Sequence, residues 1–191
     1  MANKDSAFGL KPIGKVGQNR DNQGLSEYSI AASATAIYFQ DPVELAATGT
    51  ITVAAASDAL LGSLNGVFFT DASSSKPTFA NHLNASNTAT DIKGFISDDP
   101  YQRFEIQTNN TGASATTDIF NVADIEYTAG SSPDFVSKVE LNDSTLANGS
   151  SATLQILGLS RDPDNNTVGA ANVNWVVRIN EHELDMNVNG V

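Results

Sequence analysis

The hydrophobic pattern is clearest in the middle of the chain, across residues 91–108 (DIKGFISDDPYQRFEIQT). Two β-prone runs flank a turn at 98–100, where paired aspartates can hydrogen-bond the backbone and the proline fixes its own φ. After the turn, Phe104 and Ile106 point to one face. The positions on the other face are polar, namely Arg103, Glu105 and Gln107. This period of two predicts a half-buried strand.

Similar short runs recur along the chain at a spacing of about 8–12 residues, separated by turn residues. Further strands are predicted at 28–31, 36–39, 43–45, 49–54, 60–64, 67–70, 135–141, 152–159 and 173–179. Asn65-Gly66 lies between two of these runs and is the strongest hairpin signal in the chain. Residues 119–127 fit either one helical turn or a strand. The succession predicts an all-β fold, a sandwich or jelly-roll-like barrel of short antiparallel strands.

Some large apolar side chains can be assigned to the core in advance. Trp175 lies among valines on the last predicted strand, which favours a core role over stacking on a sugar. Phe79 and Leu83 are expected to anchor a polar loop at 71–90.

Residues 1–27 are predicted to form an extended N-terminal arm, because they are rich in glycine and polar residues and poor in apolar ones. The docking residues of this arm would be Phe8, Leu10 and Ile13, on the chain's own domain or on a neighbour. A flexible terminus is the alternative. A β domain at 28–182 and a C-terminal tail at 183–191 complete the predicted organisation.

Charge limits the choice of partners. The 191 residues carry a formal net charge of −12 at neutral pH, and the sequence pI is about 4.3. Binding to nucleic acid rests on Lys and Arg, so no nucleic-acid partner is expected, and anionic membranes are excluded for the same reason. There is no cysteine, no secretory leader pattern and no apolar run long enough for a membrane span. The protein is therefore expected in a cytosol-like compartment, unless it leaves within a larger particle.

Catalytic motifs do not stand out. The two histidines, His82 and His182, lie far apart in the sequence, and no nucleophile elbow, phosphate-binding loop or zinc-protease motif occurs. No catalytic residues, cofactor or metal site are predicted, and the chain is expected not to be an enzyme.

Two groups of aspartates could still carry chemistry. Asp162, Asp164 and Asn166 place oxygen ligands at alternate positions, as Ca²⁺ loops do, but the sixth and twelfth positions lack the expected glycine and glutamate. Asp98 and Asp99 could be a carboxylate pair for glycoside hydrolysis. Turn formation is favoured for both groups.

Six segments, in order along the chain, carry a family resemblance: AFGLKPI, NGVFFTDASSSKPTF, DDPYQRFEIQ, NVADI, ILGLSRDPDN and RINEH. Through these six segments the chain resembles a group of small virion structural proteins of tailed bacteriophages. This group is common among marine phages. The resemblance implies a capsid decoration (cement) protein on the outer capsid surface, β-rich and without catalytic residues. It also implies the major capsid protein as partner and a homo-oligomer, with a trimer favoured.

Two other functions remain as alternatives. A head fibre or knob that binds host-surface glycans would need exposed aromatic side chains converging in a groove. A hydrolase would need Asp98 and Asp99, or Asp162 and Asp164, in a cleft.

Overall fold

The chain folds into antiparallel sheets packed as a sandwich, which confirms the predicted all-β class. A computed structural model describes residues 2–16, 24–109, 114–149 and 151–185. Within these ranges, helical structure is limited to two single 3-10 turns, at Thr116–Asp118 and Asp143–Thr145. No helix in the described ranges has the length and apolar character to cross a membrane.

Sheet one combines the beginning of the chain with its second half. Its strands lie in the order β1-β8-β13-β12-β9. They are β1 (Lys11–Lys15), β8 (Gln102–Gln107), β9 (Val122–Ala123), β12 (Leu154–Leu159) and β13 (Asn174–Ile179). A separate two-stranded ladder pairs β10 (Ile125–Glu126) with β11 (Glu140–Leu141).

Sheet two is built from one continuous stretch of sequence. Its strands lie in the order β2-β7-β5-β3-β4, and β6 also pairs with β5. They are β2 (Ser26–Ser29), β3 (Pro42–Ala46), β4 (Thr50–Val53), β5 (Gly62–Thr70), β6 (Pro77–Ala80) and β7 (Lys93–Ser97).

The buried apolar residues form two clusters that follow this division. One cluster draws only on residues between Ile30 and Ile96, beneath sheet two. The other contains Leu10, Ala54 and Leu60 together with the inward side chains of sheet one, and Trp175 is completely buried in it. The predicted core role of Trp175 is confirmed.

The central stretch connects the two sheets. Both predicted strands exist, but β7 pairs within sheet two and β8 within sheet one, so the turn at 98–101 carries the chain from one sheet to the other. Phe104 and Ile106 are buried as expected. Glu105 and Gln107 on the opposite face are buried as well, so the prediction of a half-buried strand is wrong for this end of β8.

The hairpin predicted at Asn65-Gly66 is wrong. These residues lie inside β5, where the register against β7 shifts between Leu64 and Gly66. A β-bulge uses the same conformationally permissive residues as a tight turn. The actual hairpin joins β5 to β6 through 71–76, inside the predicted loop at 71–90, where Leu83 is buried but Phe79 is 74% exposed.

Other predictions fail for want of a partner strand. Residues 36–39 make only isolated bridges, from Ile37 to Leu83 and from Phe39 to Val136. The run at 135–141 contains a strand only at Glu140–Leu141. The runs at 152–159 and 173–179 are confirmed as β12 and β13, which pair with each other.

The predicted N-terminal arm is in part an edge strand. Residues 11–15 form β1, which pairs antiparallel with β8, so the boundary predicted at residue 27 does not separate an arm from the domain. Part of the predicted arm (17–23) and most of the predicted tail (186–191) lie outside the described residues. Ahead of β1, the chain passes a narrow point at Gly9, which has a φ of +76°. A Cβ there would lie against the Gln40 carbonyl oxygen and 2.5 Å from the Ser137 side chain.

Replacing Gly9 by alanine should therefore destabilise the protein. Both the positive φ and the missing space oppose a side chain, and we expect a loss of about 2–3 kcal/mol in the free energy of unfolding. Urea denaturation measures the loss. The matched control is Gly24→Ala, because a Cβ at Gly24 meets nothing within 4 Å. Equal stability of the two variants would contradict the analysis.

Candidate functional site

The three predicted docking residues occupy three different environments. Leu10 is completely buried in the core beneath sheet one, and its N–H donates to the Gln40 carbonyl at 2.9 Å. Leu10 is therefore not available to a partner, because its own core already encloses it. Phe8 is half-buried, with the Lys11 ammonium 5.7 Å from its ring centroid. Ile13 is 45% exposed, and its docking on a partner stays a prediction.

Residues 2–6 lie across the polar face of β8 and β13. The Gln107 side chain accepts from the Ser6 N–H at 2.8 Å and donates to the Lys4 carbonyl at 3.0 Å. The Asn165 amide donates to the same carbonyl at 2.7 Å. These contacts explain why β8 is buried on both faces. No short-range sequence signal could reveal them, since the partners lie more than 100 residues apart.

The aspartates considered as Ca²⁺ ligands contact residues 2–6 and the start of β13. The Asp164 carboxylate pairs with Lys4 at 2.5 Å, and Asp162 accepts from the Asn174 amide at 3.3 Å. Asp162 also accepts from the Asp164 N–H at 3.0 Å, whereas Asn166 is half-buried nearby in sequence. Across the described ranges, no group of three or more His, Asp or Glu side chains is arranged to hold a metal ion.

The carboxylates considered for glycoside hydrolysis connect the two sheets. Asp98 accepts from the Tyr28 hydroxyl of β2 at 2.7 Å, and Asp99 pairs with Lys15 of β1 at 2.6 Å. Burial and the contact with Asp98 raise the pKa of Tyr28. Asp98 and Asp99 thus stabilise the crossover between the sheets, which matches the turn role that the sequence favoured.

The histidines have separate surroundings. His82 stacks on Phe135 with ring centroids 3.9 Å apart and also faces Tyr38. His182 is buried, and its Nδ1 accepts from the Leu184 N–H at 3.1 Å. Burial lowers the pKa of both imidazoles, so both are neutral near pH 7. The structure does not bring the two histidines together.

The outer face of sheet one carries two adjoining open grooves, of 240 and 710 Å³, which share Lys11, Glu105 and Asp162. Glu105 lies between them and accepts from the Lys11 ammonium at 3.0 Å and from the Ser160 hydroxyl. Burial opposes ionisation of Glu105, but the bonds from Ser160 and Lys11 outweigh it and lower the pKa. The Glu105 carboxylate is therefore ionised and held in place, because Lys11 donates to one of its oxygens and Ser160 donates to the other.

Exposed aromatic side chains are spread over several elements. Phe79 lies on β6, Phe120 follows the first 3-10 turn, and Tyr101 precedes β8. Trp175, the side chain best suited to stacking on a sugar, is completely buried.

Several carboxyl groups elsewhere resist ionisation, among them Asp41, Glu44 and Glu140. Burial raises the pKa of Asp41 to about 6. Burial, together with Asp58 and then Glu183, raises that of Glu44 to about 7. Burial and nearby carboxylates, among them Asp5, raise the pKa of Glu140 to about 7.

No family model, curated protein or solved structure matches this chain.

Leu10 and Ile13 offer a test of how the N-terminal segment is attached. We expect Leu10→Ala to lower the free energy of unfolding by about 2–5 kcal/mol, because it opens a cavity in the core. Ile13→Ala should stay within about 0.5 kcal/mol, because its side chain already meets solvent. Urea denaturation of both variants measures the difference. A Leu10→Ala variant as stable as the parent would show that the segment is not anchored in the core.

The stabilisation that Asp41, Glu44 and Glu140 contribute should fall as the pH rises from about 5 to about 8. The raised pKa values mean that the folded state binds more protons than the unfolded state in this window, so the stabilisation is present at low pH and lost as pH rises through about 6–7. Glu140→Gln should stabilise the protein at pH 8 by about 1 kcal/mol, allowing for solvent screening of a partly exposed group. The same variant at pH 5 is the control and should show little change. An effect of Glu140→Gln that is equal at pH 5 and at pH 8 would contradict this.

Proposed function

We propose that this chain is a capsid decoration (cement) protein of a tailed phage, which binds the outer shell and stabilises it by bridging neighbouring capsid subunits. The six sequence segments that resemble phage virion structural proteins support this proposal. The protein is further proposed not to act as an enzyme and to need no cofactor.

The structural observation that carries the proposal is an exposed apolar edge on sheet one. Ile13 and Val16 are each 45% exposed on and just after β1, and Tyr101, 50% exposed, accepts from the Val16 N–H through its carbonyl at 2.8 Å. Among the described strands, β1 pairs only with β8, so its other side is open. We call Ile13, Val16 and Tyr101 the apolar edge. Exposed apolar side chains that lie together are a feature of protein-binding sites.

The apolar edge favours contact through side chains over addition of a strand. Pro12 lacks an N–H donor, and the register between β1 and β8 shifts between Pro12 and Gly14. Both features interrupt an edge for strand pairing. A shell subunit would therefore pack against Ile13, Val16 and Tyr101.

The alternatives receive less support. The glycan-binding alternative has less support because Trp175, the side chain best suited to stacking on a sugar, is buried. A hydrolase would need these four aspartates to act on a substrate. Each of them instead contacts another side chain of the protein. Their partners are Tyr28 for Asp98, Lys15 for Asp99, Asn174 for Asp162 and Lys4 for Asp164.

The test uses capsids that lack this protein. Adding the full chain should raise the temperature at which the shells disrupt, and Ile13→Asp with Val16→Asp should reduce binding at least about tenfold, because charges would be buried against an apolar contact. Leu184→Asp, at an exposed position outside the apolar edge, is the matched control and should bind normally. Normal binding by the double variant would refute the role of the edge, and absence of the chain from the virion surface would refute the function.

A further inference from the structure

The dipeptide Asn-Gly occurs three times in the chain, at 65–66, 148–149 and 189–190. In this dipeptide the backbone nitrogen of the glycine can attack the side-chain amide carbon of the asparagine. Glycine has no Cβ, so no side chain shields this nitrogen or hinders the turn of the backbone that the attack requires. The pair at 189–190 lies outside the described residues. The structure gives the other two pairs very different surroundings.

Asn148 and Gly149 are open to solvent. Both residues are exposed and lie in a bend shortly after the second 3-10 turn. Neither makes a hydrogen bond or an ion pair with any residue in the described ranges. A Cβ built on Gly149 would meet no atom within 4 Å. No contact in the described chain therefore prevents the Gly149 nitrogen from reaching the Asn148 side chain.

Asn65 and Gly66 are held inside a strand. They belong to β5, where Gly66 lies opposite Phe95 of β7, and the next residue, Val67, also pairs with β6. The Asn65 amide donates to the Ser63 carbonyl at 3.3 Å. Attack requires the two reacting atoms to come into contact, and the backbone turn that brings them together would break these strand pairs. Reaction at Asn65 therefore has to wait for local opening of sheet two.

We propose that Asn148 is a site of spontaneous deamidation, with water as the only co-reactant. The Gly149 nitrogen loses its proton and forms a bond to the Asn148 amide carbon. The side-chain nitrogen takes up a proton and leaves as ammonia, which closes a five-membered succinimide. Water then adds to one of the two succinimide carbonyls and opens the ring, so that aspartate or isoaspartate remains at position 148. No oxidation or reduction takes place.

The product differs from the parent protein in charge and, for isoaspartate, in the length of its backbone. The formal net charge at neutral pH changes by one unit, from −12 to −13, because a carboxylate replaces a neutral amide. Isoaspartate also inserts the side-chain Cβ into the main chain. The preceding residue, Ala147, is held by two hydrogen bonds with Val122, each 3.0 Å long. The added atom lies beyond these bonds, so the modified protein stays folded. The inference is independent of the proposed function, since the reaction needs no shell.

Peptide mapping of the aged protein tests the proposal. The full chain is kept in slightly alkaline buffer, which favours loss of the proton from the attacking nitrogen, and is digested and analysed by mass spectrometry over time. A gain of about 1 Da identifies each deamidated residue, and isoaspartate among the products identifies the succinimide route. We expect Asn148 to react at least about tenfold faster than Asn65, which is protected by the sheet. Equal rates at the two residues, or an Asn148 that stays intact, would overturn the proposal.

The same measurement in guanidinium chloride separates the effect of the fold from that of the local sequence. In the unfolded chain both pairs are open, so their rates should agree within about threefold. An Asn65 that stays protected after unfolding would show that the sheet is not the cause of the difference, and would overturn the structural argument.

A single methyl group tests the route of the reaction. Gly149→Ala should slow deamidation of Asn148 at least about tenfold, because the new Cβ hinders the attacking nitrogen. The fold should accept this Cβ, since it meets no neighbouring atom. Gly24→Ala also adds a methyl group in open space and is the matched control, which should leave the rate at Asn148 unchanged. Circular dichroism checks the folding of both variants, and the comparison of the folded and unfolded parent decides the question if Gly149→Ala does not fold. An Asn148 that reacts as fast in folded Gly149→Ala as in the parent would contradict the succinimide route.

Discussion

Completion of sheet one depends on the pairing of β1 with β8, because this pairing brings the first residues of the chain to its second half. Leu10 fills the core beneath the sheet, and residues 2–6 supply partners for the polar side chains above it. Without them, the buried Gln107 side chain would lose its hydrogen bonds with Ser6 and Lys4 and keep the one that it donates to Asn174. The chain reaches this position by passing between Gln40 and Ser137, where there is room for a glycine but not for a larger residue at position 9.

The parts of the fold that could be predicted are those decided by local alternation. The all-β class follows from short runs with turn residues between them, and β12 and β13 were predicted within a residue or two of their ends. The predictions that were wrong concern residues whose structure depends on contacts with residues far away in the sequence. Asn65-Gly66 suits a turn and a bulge equally well, and only the presence of β7 alongside makes it a bulge. Glu105 and Gln107 look like a solvent face until the N-terminal segment is placed over them.

At the candidate site, too, only the features that depend on neighbouring residues could be predicted from the sequence. Turn roles for Asp98, Asp99 and Asp162 could be inferred from composition and neighbouring residues, but their partners could not. The facing like charges, Arg103 with Arg178 and Glu126 with Glu140, could not be predicted from the sequence, because each pair depends on the register between two strands. Placing like charges on neighbouring strands lowers the stability of an isolated molecule.

The order of strands in the two sheets has a consequence for how the protein folds during synthesis. Sheet two is complete once residue 97 has left the ribosome, since all its strands fall between residues 26 and 97. The first strand made, β1, must wait for β8, and the rest of sheet one for β13 near residue 179. A nascent chain would thus carry a folded sheet two while Leu10 and Ile13 are still unpaired. Domains generally fold in the order in which they emerge, and exposed apolar segments invite association with other chains. For this protein, the interval of greatest vulnerability to aggregation falls late in translation, and it concerns residues made at the very beginning.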